Sequence, residues 1–141
     1  MIEIRLAETE AERRRTHRVM VQLRTQLTED AYVAQVSRQC ERERFQIVAL
    51  YEDGEVRAVA GFRLATALAL GEYVYVDDLV SDETQRSRGH GAALLHWVAR
   101  YAKERGCTSL HLDSGVERHA AHRFYLRERM DIVFYHFRRA L

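Results

Sequence analysis

Proline is absent from this chain of 141 residues, and lysine occurs once, at Lys103. Nearly all positive charge is therefore arginine, and acidic residues balance it to a formal net charge of +1. A nucleic-acid partner would need a segregated basic face, and the overall charge gives no sign of one. Cysteine is scarce too: Cys40 and Cys107 are too few and too far apart for a disulfide framework, and two free thiols fit a reducing cytosol. No apolar run approaches membrane-spanning length, and Met1-Ile2-Glu3-Ile4-Arg5 does not read as a signal peptide. Repeats, low-complexity tracts and linkers are also missing. What remains is the expectation of a soluble, cytoplasmic protein with neither a nucleic-acid nor a membrane partner. Its single domain over 1–141 is long enough to bury a core without staples.

The richest stretch runs from Glu72 to Tyr101. Val74, Val76 and Val80, with Tyr73 and Tyr75 between them, place β-branched and aromatic residues on both parities, as in an interior strand covered on both faces. After Gly91 the period changes, and Leu94, Leu95, Val98, Tyr101 and Ala102 fall at helical spacing. The junction is Arg86-Ser87-Arg88-Gly89-His90-Gly91. Two glycines at a helix start let the backbone approach a bulky group and offer it several N–H donors. The helix dipole and two arginines add positive charge at the same point, so the junction suits a phosphate or pyrophosphate. The dinucleotide fingerprint would need a small residue where Leu94 stands, and a P-loop would need a Gly-Lys pair that is missing. The pattern present is R-x-x-G-x-G, directly after a strand.

Elsewhere, Ile2, Ile4 and Leu6 alternate with charged residues as a first strand. Thr9 and Glu12 form a capping-box pattern before a helix with Val19, Met20, Leu23 and Leu27 inward and Arg14, Arg15 and Arg18 on a solvated face. Thr28 can cap a second helix. Phe45–Tyr51 and Val56–Leu64 read as strands around an Asp53-Gly54 hairpin turn, and Ala65–Gly71 as an apolar link of uncertain form. Gly106 ends the third helix. Thr108–Asp113 is a strand, Glu117–Arg129 a helix, and Ile132–Arg138 a closing strand. The order β-α-α-β-β-β-α-β-α-β gives an α/β (α+β) fold, a mixed sheet with helices on both faces.

From end to end, this order and the Arg86–Gly91 motif resemble the GCN5-related N-acetyltransferase family, as does Ala121-His122-Arg123-Phe124-Tyr125, similar to that family's A-x-x-F-Y. The resemblance implies the acyl-CoA N-acyltransferase fold, with a mostly antiparallel mixed sheet. It implies acetyl-CoA as cosubstrate, its pyrophosphate on Arg86, Ser87, Arg88, Gly89, His90, Gly91 and Ala92. Its pantetheine arm would lie along the backbone of Leu79, Val80 and Ser81, where two central strands splay. The implied reaction is transfer of acetyl to a primary amine of a small molecule or peptide, and the resemblance leans towards a homodimer.

Thioester aminolysis needs a neutral amine, a polarised carbonyl and a proton for the thiolate. Asp77 and Asp78 sit at the expected splay. Strand alternation puts Asp78 with Val74 and Val76, the parity the resemblance turns towards the acceptor. Asp78 is thus favoured as base, with Asp77 and Glu72 as substitutes, although either aspartate could instead bind backbone or pair with the amine. A backbone N–H near Leu79 or Val80 would polarise the carbonyl. Tyr125 matches the family's usual acid; a core aromatic is the other reading. Two positions depart from the family pattern: Arg118 stands where asparagine is common, and Arg129 where glycine is. Arg118 could still meet coenzyme A phosphates. Those departures motivate an alternative, a coenzyme A-binding sensor or regulatory module without catalysis. His119 and His122, with His111 or Cys107, lack a recognisable zinc spacing, so no metal is expected.

Overall fold

The computed structural model describes residues 1–141, which form two units, Met1–His111 and Leu112–Leu141. In the first, β1 (Ile2–Leu6), β2 (Phe45–Glu52), β3 (Glu55–Ala67), β4 (Gly71–Ser81) and β5 (Ser109–His111) lie side by side in chain order. The first three pairings are antiparallel and β4 with β5 is parallel, so the sheet is mixed and mostly antiparallel. The β2–β3 hairpin turns at Asp53 and Gly54, both with positive φ, as an Asp-Gly turn requires. The uncertain link resolves into strand: β3 runs on to Ala67 and β4 begins at Gly71, leaving a tight turn with Leu68 exposed.

Alternation along β2 and β3 builds two cores. Phe45, Ile47, Ala49, Tyr51 and Val59 face one way and pack with Val19, Met20, Tyr32, Val33 and Val36. Those last residues come from α1 (Glu10–Met20) and α2 (Glu29–Glu43). On the opposite face, Phe62 meets Trp97 and Tyr101 of α3 (His90–Glu104), edge-on at 6.4 and 5.5 Å. Helices thus cover both faces. α1 starts in the capping box expected from Thr9 and Glu12. It is shorter than its apolar spacing suggests: Leu23 and Leu27 pack on the core from the α1–α2 connection. No helix is long and apolar enough to cross a membrane.

Arg18, read from sequence as part of a solvated face, instead ties α1 to the sheet. Its guanidinium donates to Asp82 at 3.0 Å and to the Val56 carbonyl. Asp82 is 1% exposed and follows β4 directly. Burial alone would raise its carboxyl. Hydrogen bonds from the Thr84 N–H, Arg18, the Thr84 hydroxyl and Gln22 outweigh burial and hold it at about 2.

The second unit holds α4 (His119–Arg127) and an irregular tail. The expected closing strand at Ile132–Arg138 is not formed: no ladder includes it, and Ile132, Val133, Tyr135 and Phe137 are exposed. Strand propensity measures fit to a pleated, half-buried surface, so a β-rich run without a ladder partner does not become a strand. α4 ends as the missing glycine would have ended it. Arg129 takes the left-handed conformation (φ 63°), its N–H bonds the Leu126 carbonyl, and the Met130 N–H reaches the Tyr125 carbonyl.

Two stability measurements follow. Asp82 has a depressed carboxyl pKa, so its contribution is complete above the ordinary carboxylate range and disappears as pH falls towards about 2. Denaturant unfolding should find Asp82→Asn less stable by about 2 kcal/mol at neutral pH, with the gap closing in acid. Arg129→Gly relieves left-handed strain of about 1–2 kcal/mol against an entropic loss of about 0.5–1 kcal/mol. The unfolding midpoint should therefore rise slightly; a fall would mean that the Arg129 side chain contributes more than its backbone costs.

Candidate active site

The site begins with a fault in the sheet. In the β3–β4 ladder Phe62 pairs with Val76 but Gly61 pairs with Asp78, which leaves Asp77 as an extra residue. Such a bulge reverses alternation beyond it. Val76 shares the face of its partner Phe62, towards α3, whereas Asp78 lies beside Phe45 on the face of α1 and α2. The expectation that Asp78 shares a face with Val74 and Val76 is therefore corrected by the bulge. A Cβ built on Gly61 would come within 2.4 Å of the Phe45 ring and 2.5 Å of Asp78 Oδ2, so only glycine leaves room for both.

Both carboxylates have arginine partners. Arg63 reaches the two oxygens of Asp77 from Nε and Nη2, at 3.0 and 3.2 Å, and lies over the Tyr75 ring. Arg24 donates from Nε to Asp78 Oδ1 at 2.8 Å and from Nη2 to the Asp77 carbonyl at 2.9 Å. Burial pushes the Asp78 carboxyl above its ordinary range, and Arg24 pulls it part of the way back. Asp78 and Arg24 line a cavity of about 230 Å³ with Met20, Leu27, Tyr32 and Phe45, and with Gln26, Gln35 and Gln39. Glu72, the other carboxylate considered, accepts from Thr66 at the start of β4. It lies five residues along the strand from Asp77, roughly 17 Å away at strand rise, and does not join the group. Neither Arg24 nor Arg63 carries a sequence signal. Both lie in ordinary amphipathic contexts and gain a role only through the bulge.

Pairing with β5 covers β4 only from Tyr73 to Tyr75. Leu79, Val80 and Ser81 keep their ladder to β3, opposite Ala60, Val59 and Ala58, but have no β5 partner on the other edge. After Ser81 the chain passes Asp82 and a short 3-10 turn, Glu83–Gln85. Arg86, Ser87, Arg88 and Gly89 are exposed, His90 is buried, and Gly91 and Ala92 are half-buried. Ser87 and Gly89 both have positive φ (67° and 78°). Gly89 caps α3 with no side-chain hydrogen bond, so the first N–H groups of the helix are not claimed by a cap. A Cβ on Gly89 would meet no protein atom within 4 Å, so the space beside it is open. The buried Nδ1 of His90 is without a hydrogen-bond partner. An open, positively charged run of amides with an orphaned polar atom beside it fits a diphosphate.

Within the second unit, Tyr125 is half-buried and receives a hydrogen bond from Arg118. Burial raises its hydroxyl above the ordinary tyrosine range, and Arg118 only partly offsets this, so it stays protonated near neutral pH. Arg118 is the N-cap of α4 but gives no capping hydrogen bond. His119 and His122 have ring centroids 6.1 Å apart, and His122 Nε2 bonds the Gly115 carbonyl. No three His, Cys, Asp or Glu side chains come together where they could hold a metal ion.

Comparison with known proteins bears on the family and the fold. The family model described as "Acetyltransferase (GNAT) family" matches residues 5–130. An uncharacterized N-acetyltransferase of Bacillus subtilis, YhdJ, is 31% identical over 125 residues, covering 89% of this chain and 88% of that protein. The aminoalkylphosphonate N-acetyltransferase of Salmonella typhimurium is 34% identical over 80 residues, 57% of this chain and 50% of that one. Among solved structures, the aminoglycoside N-acetyltransferase AAC(6')-Iy in complex with CoA superposes with a TM-score of 0.80 at 16% identity, covering 98% of this chain and 95% of that one. The last likeness is one of fold alone, whereas the family match spans most of the sequence: the chain belongs to the GNAT acetyltransferase family.

Proposed function

We propose that the protein transfers an acetyl group from acetyl-CoA directly to the primary amine of a small molecule, as one catalytic domain over residues 1–141. Membership of an acetyltransferase family supports acetyl transfer, and the match crosses the boundary at His111 without a break. The observation that carries the cosubstrate is the start of α3, where a left-handed glycine leaves N–H groups uncapped just after two exposed arginines, Arg86 and Arg88. On this reading Arg86, Ser87, Arg88, Gly89, His90, Gly91 and Ala92 hold the pyrophosphate. The backbone of Leu79, Val80 and Ser81 holds the pantetheine arm, and Arg118 meets a further phosphate.

Acetyl-CoA supplies the thioester, in which the new C–N bond forms as C–S breaks and the electron pair leaves on sulfur. Asp78 takes the proton lost by the amine. Its raised pKa brings it nearer to that task than an exposed aspartate would be. Asp77 orients Arg63 and is the substitute for Asp78 as base. Tyr125 gives the departing sulfur its proton and recovers one from solvent. An amine of modest size suits the cavity of about 230 Å³ beside Asp78, and acetylation of aminoalkylphosphonate by the Salmonella relative is in keeping with it. With two free thiols, and on family resemblance, the setting is the cytoplasm and the assembly a homodimer.

The decisive experiment is acetyl-CoA-dependent thiol release over a panel of amines, with calorimetry for coenzyme A. Tight binding without turnover on any amine would replace this reading by a sensor or regulatory module. Tyr125→Phe should lower kcat by about 100-fold or more with coenzyme A affinity intact; an unchanged rate would remove Tyr125 from the chemistry. Arg86→Gln should weaken coenzyme A binding about tenfold at low ionic strength, and the deficit should shrink as salt is added.

A further inference from the structure

The lining of the cavity beside Asp78 carries one cation, Arg24, and one anion, Asp78. The other acidic groups near β4 do not add to it, because Asp77 is held by Arg63 and Glu72 lies at the far end of the strand. An acceptor with several positive charges would therefore find a single carboxylate and meet Arg24 as well. The count of aspartates in the sequence points to a cationic site; the pairing makes it a dipolar one.

The unused hydrogen-bonding capacity has a definite sense. A guanidinium has five N–H donors in a planar fork. Arg24 spends one on Asp78 Oδ1 and one on the Asp77 carbonyl. Both Nη1 protons and the second Nη2 proton remain, on the edge that binds carboxylate or phosphonate in a two-pronged way. Asp78 Oδ2 receives none of the bonds that hold Oδ1. Tyr32, which also lines the cavity, adds an acceptor: Thr16 gives its hydroxyl proton to the Arg13 carbonyl, so Tyr32 donates to Thr16 and keeps its own lone pairs. Donors for an anion and acceptors for an ammonium thus line the same cavity. Its volume, equivalent to about eight waters, matches a molecule of amino-acid size.

We propose that the acceptor is a small zwitterionic amine whose acid group docks on the outer edge of the Arg24 guanidinium while its amine lies between Asp78 Oδ2 and the Tyr32 hydroxyl. Arg24 is then the residue that sets specificity. It need not release Asp78 to bind the acid, and an acid on its far edge weakens its hold on the Asp78 proton affinity. The inference rests on the acetyl-transfer reading for the identity of the ligand as acceptor.

The test compares β-alanine and taurine with propylamine and putrescine, by initial-rate thiol release and by calorimetric binding to the protein loaded with coenzyme A. The acid-bearing amines should be preferred by at least about tenfold, expressed in KM and in affinity rather than in kcat. Arg24→Met should abolish the preference and Arg24→Lys keep part of it. Equal or better use of propylamine or putrescine overturns the zwitterion assignment and leaves acetyl transfer standing. If no amine is turned over, calorimetry still decides: a preference for the acid-bearing pair upholds the cavity assignment while the enzyme reading falls, and no preference overturns it. Should Arg24→Met fail to fold, propionate serves on the unaltered protein. Competition with β-alanine supports the dock, and its absence overturns it.

Discussion

One surplus residue in β4 decides which way its two aspartates face. Opposite Gly61 the strand carries two aspartates where a regular ladder has room for one. The first half of β4 can therefore bury Val74 and Val76 beneath α3, while the second half turns a carboxylate towards α1 and α2. The bulge is tenable because position 61 lacks a side chain and because Arg24 and Arg63 compensate the charge brought inward. Without Arg24, burial would push the Asp78 carboxyl still further towards its protonated form.

The hold on β4 is continued from below. Asp82, next after the strand, gathers Arg18, Gln22 and Thr84, and the Glu83 N–H bonds the Gln22 side chain. The end of α1, the connection after it and the turn before α3 are thus fixed to a single buried carboxylate. The rim of the cavity and the approach to the glycine-led helix start share this anchor, so the amine side and the phosphate side of the proposed reaction are held in one frame. A charge in so buried a place is tolerated because each oxygen is satisfied by hydrogen bonds.

Much of this was legible in the residues themselves. The capping box at Thr9, the Asp-Gly hairpin, the strand-to-helix switch around Gly89 and the order of elements as far as α4 were all readable, because each is written in local pattern. Three things were not. The face of Asp78 depends on a register shift against β3, and alternation read along one strand cannot see its neighbour. The roles of Arg18, Arg24 and Arg63 depend on partners 64, 54 and 14 residues away. The tail after Met130 has every propensity of a strand but joins no ladder, so local preference had nothing to act on. Local rules predicted the elements, and long-range pairing decided what their side chains do.

The near-total preference for arginine over lysine also bears on what an acetyl donor meets when it is not in productive use. A guanidinium remains protonated at any working pH and is a poor nucleophile, whereas an exposed lysine amine is the kind of group the proposed reaction modifies. Lys103, exposed in the last turn of α3, is the one lysine side chain on offer. Arginine thus provides charge for the folded protein while keeping its own surface almost free of competing acceptors, so that self-modification by stray thioester has very little to act on.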